Sequence, residues 1–218
     1  MKTTIKTTIY FFVMVSFVMV ANGCSEDSDA AFEIDLSQDD TVGLQNTITI
    51  SQKDADALLF MLEEEKLARD TYEYLDTTWG LNQFANIKKS EQTHMDAIEN
   101  LLKQSNTTYT ILEYGVFSNS DLQAFYDTFK VDGAKSVVDA LQIGATIEDL
   151  DIKDLEDYVL ETNNAQIINV YQSLQCGSRN HLRSFMKGLD KNGGTYTPQF
   201  ITLDEFNSIV NSSNEQCN

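Results

Sequence analysis

Four long stretches of this chain keep apolar residues at helical spacing, and each breaks its stripe with a group that an oily interior rejects. The first runs from a capping Ser51 or Asp54 to Gly80 and places Leu58, Met61, Leu62, Glu65, Ala68, Tyr72 and Leu75 on one face. The second, from about Asn82 to Gln104, carries Phe84, Ile87, Glu91, His94, Met95, Ile98, Leu101 and Leu102. The third covers about residues 133–160, with an interruption expected near Asp151, and aligns Val138, Leu141, Ala145, Glu148, Ile152, Leu155 and Val159. The fourth covers about residues 164–189, stops at Asn192-Gly193-Gly194, and aligns Ile167, Val170, Tyr171, Leu174, Ser178, His181, Leu182 and Phe185. One proline and ten glycines in 218 residues leave these stretches unbroken, so the chain is expected to be all-α.

Residues 105–120 lack helical rhythm and read as a long crossover, with SDLQAFYDTFK a short capped helix within or after it. The tail TPQFITLDEFNSIVNSS has Pro198 near an expected helix start and enough apolar spacing for a short extra helix packed on the outside. The first two long stretches form one expected hairpin and the last two another. Each hairpin contributes a carboxylate from its first helix and a histidine from its second. The expected fold is an antiparallel four-helix bundle over residues 49–192, followed by an extension over residues 193–218.

Burying an unpaired carboxylate costs several kcal/mol, so Glu65, Glu91 and Glu148 need compensation. The chain has only two histidines, and both His94 and His181 sit on these inward stripes. Three carboxylates and two imidazoles from four helices would be compensated by gathering round one or two divalent cations; iron suits such ligands, as do manganese and zinc. Glu91 and His94, three apart on one helix, lie about 5–6 Å apart at Cβ and can serve the same or adjacent ions. The alternative is a pair of core histidines hydrogen-bonded to glutamates without metal. A single Glu-x-x-His is usually a surface pair, and Tyr72 and Tyr171 read as core aromatics. Within Glu63-Glu64-Glu65 only phase singles out Glu65, while Arg179 and Asn180 suit either a supporting or a structural role.

In order, Glu65, then Glu91-Gln92-Thr93-His94, then Glu148, then Ser178-Arg179-Asn180-His181 resemble the ligand pattern of ferritin-like di-iron proteins. Glu65, Ala68 and Tyr72 also keep the Glu-x-x-Ala-x-x-x-Tyr spacing of the rubrerythrin branch. The segments EEEKLARDTYEYL, SEQTHMDAI, GATIEDLDIKDL and GSRNHLRSF resemble the ferritin-like family catalogued as domain of unknown function 2202. That resemblance implies a ferritin-like bundle and a metal set of Glu65, Glu91, His94, Glu148 and His181. Ser178 departs from it, standing where the pattern has a glutamate. Asp151 or Glu64 could make up the missing carboxylate; otherwise the site would hold one metal firmly, two weakly, or none. The implied chemistry is a non-haem iron or di-metal centre acting on oxygen, peroxide or iron, with no catalytic residue assigned. The rival is a non-catalytic envelope lipoprotein that uses the bundle for interaction or metal scavenging.

Residues 1–23 have the layout of a secretory signal: Lys2 and Lys6, an apolar run too short for a comfortable span, and small residues before Cys24. Ala21-Asn22-Gly23-Cys24 resembles the processing box of bacterial lipoproteins, which implies lipidation of Cys24 and a lipid-anchored place in the bacterial cell envelope, at the outer membrane or cell surface. Ordinary secretion with a free or disulfide-bonded Cys24 is the alternative. Residues 24–48 are acidic and polar and read as a flexible tether. The formal net charge of −19 argues against nucleic acid, whose phosphates need a basic footprint. A homodimer is compatible with the pattern, and Cys176 and Cys217 are free to pair in an oxidising compartment.

Overall fold

The computed structural model describes residues 47–217, and these form six helices with no strand among the described residues. The helices are α1 (Gln52–Trp79), α2 (Asn82–Gln104), α3 (Ser120–Gly133), α4 (Val137–Glu161), α5 (Ala165–Lys191) and α6 (Leu203–Val210). The signal-like segment, Cys24 and almost all of the expected tether lie outside the described residues.

Local chemistry sets the helix ends. Ser51 caps α1 in a capping box with Asp54, so the two candidate caps act together. Gly80 ends α1 at φ 62°, a left-handed turn that only glycine adopts freely. Asn164 caps α5 by accepting from the amides of Gln166 and Ile167. Two-residue and three-residue links make α1/α2 and α4/α5 antiparallel hairpins.

The four long helices close a ring of contacts in which α1 touches α2 and α4, and α5 touches α2 and α4. The long connection from α2 carries α3 across α1 and α4, and α6 packs on α5. Two of the expected boundaries move. No break occurs near Asp151, because its side chain accepts a hydrogen bond from Ser178 of α5 instead of competing for its own backbone. The last helix begins after Thr202 and not near Pro198, because buried Asp149 accepts from the amides of Gln199, Phe200 and Ile201 and holds that segment extended.

The apolar interior divides in two. One cluster gathers Tyr72, Leu75, Phe84, Leu141, Leu182 and Phe185 with the inner faces of α3 and α6; the other gathers Leu58, Met61, Met95, Ile98, Leu155, Ile167 and Tyr171. Burying each such side chain contributes roughly 1.5–3 kcal/mol. Between the clusters every long helix presents polar groups at the same level: Glu64 and Glu65, Glu91 and His94, Glu148 and Asp151, Ser178 and His181. All are at most 9% exposed.

Candidate metal centre

Helical register brings the five residues singled out by phase to one place. Glu91 lies in the middle. Its Oε2 is 3.0 Å from Nδ1 of His94, one turn along α2, and its Oε1 is 2.9 Å from Nδ1 of His181 on α5. Glu65 Oε2 sits 3.2 Å from the same His94 nitrogen, and Glu148 Oε2 sits 3.4 Å from the same His181 nitrogen. Two groups result, Glu65/Glu91/His94 and Glu91/Glu148/His181, each with donor atoms within 4.8 Å of one another and both sharing Glu91. The imidazoles stack, with centroids 5.6 Å apart and planes 24° from parallel.

The remaining candidates fall at the edge of this pair. Asp151 lies beside Ser178, whose hydroxyl donates to its Oδ2, so a carboxylate from α4 stands next to the position where α5 lacks one. Glu64 is 1% exposed, while its neighbour Glu63 faces outward and accepts from the amides of Ser118 and Asn119.

Six of the nine buried side-chain atoms that lack a hydrogen-bond partner among the described residues belong to this layer: both oxygens of Glu64, Oε1 of Glu65, Oε1 of Glu91, Oδ1 of Asp151 and Nδ1 of His181. Glu91 Oε1 and His181 Nδ1 are close in space but not aligned to bond each other. Carboxylate oxygens and imidazole nitrogens converging in an apolar interior are the environment a cation can occupy once their protons leave. Among the described residues, none of this layer's carboxylates, Glu64, Glu65, Glu91, Glu148 and Asp151, is ion-paired to a lysine or arginine, whereas buried Asp70 is paired with Lys66 and Arg69.

Electrostatics follow from that crowding. Burial pushes the Glu65 carboxyl up to about 7 against the pull of His94. Burial also raises Glu148, Glu64 and Asp151, the last two well above the ordinary carboxylate range and further lifted by neighbouring carboxylates. Glu91 goes the other way: burial opposes its ionisation, but two imidazoles hold it below the ordinary range. Burial disfavours a charged His181, yet Glu91 and Glu148 raise it to about 10, and Glu65 and Glu91 raise His94 likewise. The metal-free centre is therefore a tight set of shared protons, which a divalent cation would displace.

Two supporting residues, Ser90 and Gly177, escape a reading of the stripes, and a third, Tyr72, lies on its stripe as a core aromatic but also carries a polar role. Ser90 Oγ lies 3.0 Å from His181 Nε2, so that ring turns its Nδ1 toward Glu91 and Glu148. Tyr72, fully buried, donates to Glu148 Oε1 at 2.5 Å and fixes that carboxylate. Gly177 gives His94 its seat, because a Cβ there would lie 2.7 Å from His94 Nε2. A glycine inside a helix, unfavourable by about 1 kcal/mol relative to alanine, was the available signal. Arg179 and Asn180 prove structural: with Arg183 they bind Glu215 of the tail, and Cys176 is disulfide-bonded to Cys217.

The sequence profile of a family described as Uncharacterized protein domain (DUF2202) matches residues 54–213. Uncharacterized protein MJ0754 of Methanocaldococcus jannaschii is 47% identical over 169 residues, which span 77% of this chain and 91% of that protein. The crystal structure of hypothetical protein MJ0754 from Methanococcus jannaschii DSM 2661 aligns with a TM-score of 0.76 at 47% identity, covering 78% of this chain and 98% of that one. The same relative corrects the expected location. It comes from an archaeon, which has no outer membrane, so the bacterial lipid-anchored envelope placement expected from the amino terminus is withdrawn.

Proposed function

The chain belongs to the family described as Uncharacterized protein domain (DUF2202), and from that premise we propose that it is a metal-binding helical bundle whose centre holds a pair of divalent cations, iron first among them, across Glu91. One observation carries this reading: Glu91 lies between two histidine–carboxylate groups and offers one oxygen to each. Glu65 and His94 would hold one cation, Glu148 and His181 the other. The order of these ligands along two hairpins joined by a long crossover supports a ferritin-like relation.

Asp151, which accepts from the Ser178 hydroxyl, would supply the carboxylate that the Ser178 position lacks. A set rich in carboxylate with one imidazole per ion suits iron or manganese, with zinc less favoured. When bound, such a pair supplies redox or Lewis-acid chemistry toward oxygen, peroxide or iron itself. The protein's own residues do the rest. The two apolar clusters exclude bulk water, Ser90 and Tyr72 orient the ligands, and Glu91 keeps the two sites in register. The formal net charge of −19 favours cations over nucleic acid as partners.

The test is metal content followed by turnover. Protein purified without chelator should carry iron or manganese, and the reduced iron-loaded protein should consume oxygen or peroxide. Loss of metal in a Glu91→Ala, His94→Ala double variant supports the assignment. Unchanged metal content in that variant overturns it, and metal without consumption leaves binding or storage as the function.

A further inference from the structure

We propose that Glu64, Asp151 and Asp154 line an acidic route along the α1/α4 seam that passes divalent cations from solvent to the Glu65 side of the centre. The inference rests on the reading of the centre as a metal site and adds how that site is filled.

Four carboxylates of α4 stand three apart in sequence: Glu148, Asp151, Asp154 and Asp157. Each step rises about 4.5 Å and turns about 60° round the helix. The series therefore starts in the core and winds outward. Exposure follows the winding, since Glu148 and Asp151 are buried, Asp154 is half-buried and Asp157 is exposed. Lys153 pairs with Asp157 and Glu156 at the outer end, which leaves Asp154 as the first acid inward of that pair.

Glu64 of α1 bridges the gap. It is 1% exposed, both of its carboxylate oxygens lack a hydrogen-bond partner, and the negative charges of Asp154 and Glu65 add to burial in opposing its ionisation. Asp151 lies within reach of both Glu64 and Glu65, and its Oδ1 is also unpartnered. No bundle needs a buried, unpaired carboxylate for stability, because each costs several kcal/mol. A string of them from surface to centre is what a hydrated cation needs in order to exchange water oxygens for protein oxygens stepwise.

Cobalt(II) uptake by the metal-free full chain, followed in a stopped-flow absorption instrument, tests the route. Glu64→Gln and Asp154→Asn should each slow loading by about tenfold or more, with the final amount of cobalt equal to wild type. Asp204→Asn, at an exposed position of α6, should load at the wild-type rate. Wild-type rates in both route variants, an equal slowing in the control, or a reduced final cobalt content in Glu64→Gln would each overturn the proposal. Wild-type protein that takes up no cobalt overturns the metal centre as well, so the two failures are distinct. Asp154→Asn changes a half-buried position and keeps the test valid if Glu64→Gln does not fold.

Discussion

The Nδ1 of His181 sits 2.9 Å from Oε1 of Glu91, yet the two atoms do not line up as donor and acceptor. The other Glu91 oxygen bears the same proximity to Nδ1 of His94 at 3.0 Å. A carboxylate flanked in this way couples two sites through one side chain.

Replacing Gly177 by alanine should disturb one site and spare the other. The added methyl would meet His94 Nε2 at 2.7 Å and Cε1 at 2.8 Å, whereas His181 Cε1 lies 4.0 Å away. Calorimetric titration should show roughly 10–100-fold weaker binding at the His94 site and unchanged binding at the His181 site. Thermal stability should not fall by more than the repacking costs, because alanine is about 1 kcal/mol the better helix former. Equal loss at both sites would mean that Gly177 acts on the bundle as a whole.

In the metal-free protein, stability should decline as pH rises. Glu65 is raised from an ordinary carboxylate value to about 7, so the unfolded chain releases this proton first and folding is disfavoured progressively as pH climbs toward about 7. His181 is raised to about 10, so its contribution is complete below its ordinary value of 6.5 and disappears as pH passes through about 10. Both effects have the same sign. Urea midpoints measured with chelator should be lower at about pH 9 than at about pH 5.5, and saturating metal should reverse the trend. Equal midpoints without metal would contradict the shared-proton picture.

Much of this was legible because it is local. Glu91 and His94 share one helix, so their spacing alone put them on one face, and the inward phase of Glu65, Glu148 and His181 followed from their apolar neighbours. Glu64 was blurred by the run Glu63-Glu64-Glu65, in which only contact with α4 and the crossover decides which side chain turns inward. Lys66 and Asp70 stand four apart on α1, a spacing equally common in exposed pairs. They are buried at 2% and 0% because the crossover folds over them, with the Lys66 ammonium donating to the carbonyls of Glu113 and Val116. Ser90, Gly177 and the tail clasp depend on what faces them across the bundle, which no single-helix pattern records.

The tail offers a stability test independent of metal. Cys176 and Cys217 are 41 residues apart, and loop-closure entropy for a link of that length is worth about 4 kcal/mol. Exchanging both for serine should lower the unfolding free energy by that order. Glu215, held near an acidity of about 2 by Arg179 and Arg183, keeps the tail docked at neutral pH. Denaturant unfolding without reductant measures the difference; no change would show that the clasp alone carries the tail.

In the larger apolar cluster, Phe185 is fully buried, with its ring centroid 5.3 Å from that of Tyr72 and 5.5 Å from that of Phe84. Phe185→Ala should cost about 3–5 kcal/mol and loosen Tyr72, the donor to Glu148. The fall in thermal midpoint should come with weaker metal binding on the His181 side. Destabilisation with both affinities intact would separate this cluster from the centre.

Metal stoichiometry in Glu91→Ala tests the central claim most directly. After anaerobic loading with iron(II) and removal of free metal, the wild-type chain should retain one ion for each of the two ligand groups, and the variant should lose both together. A variant that retains one ion, or a wild-type chain that retains none, would contradict a centre built across Glu91.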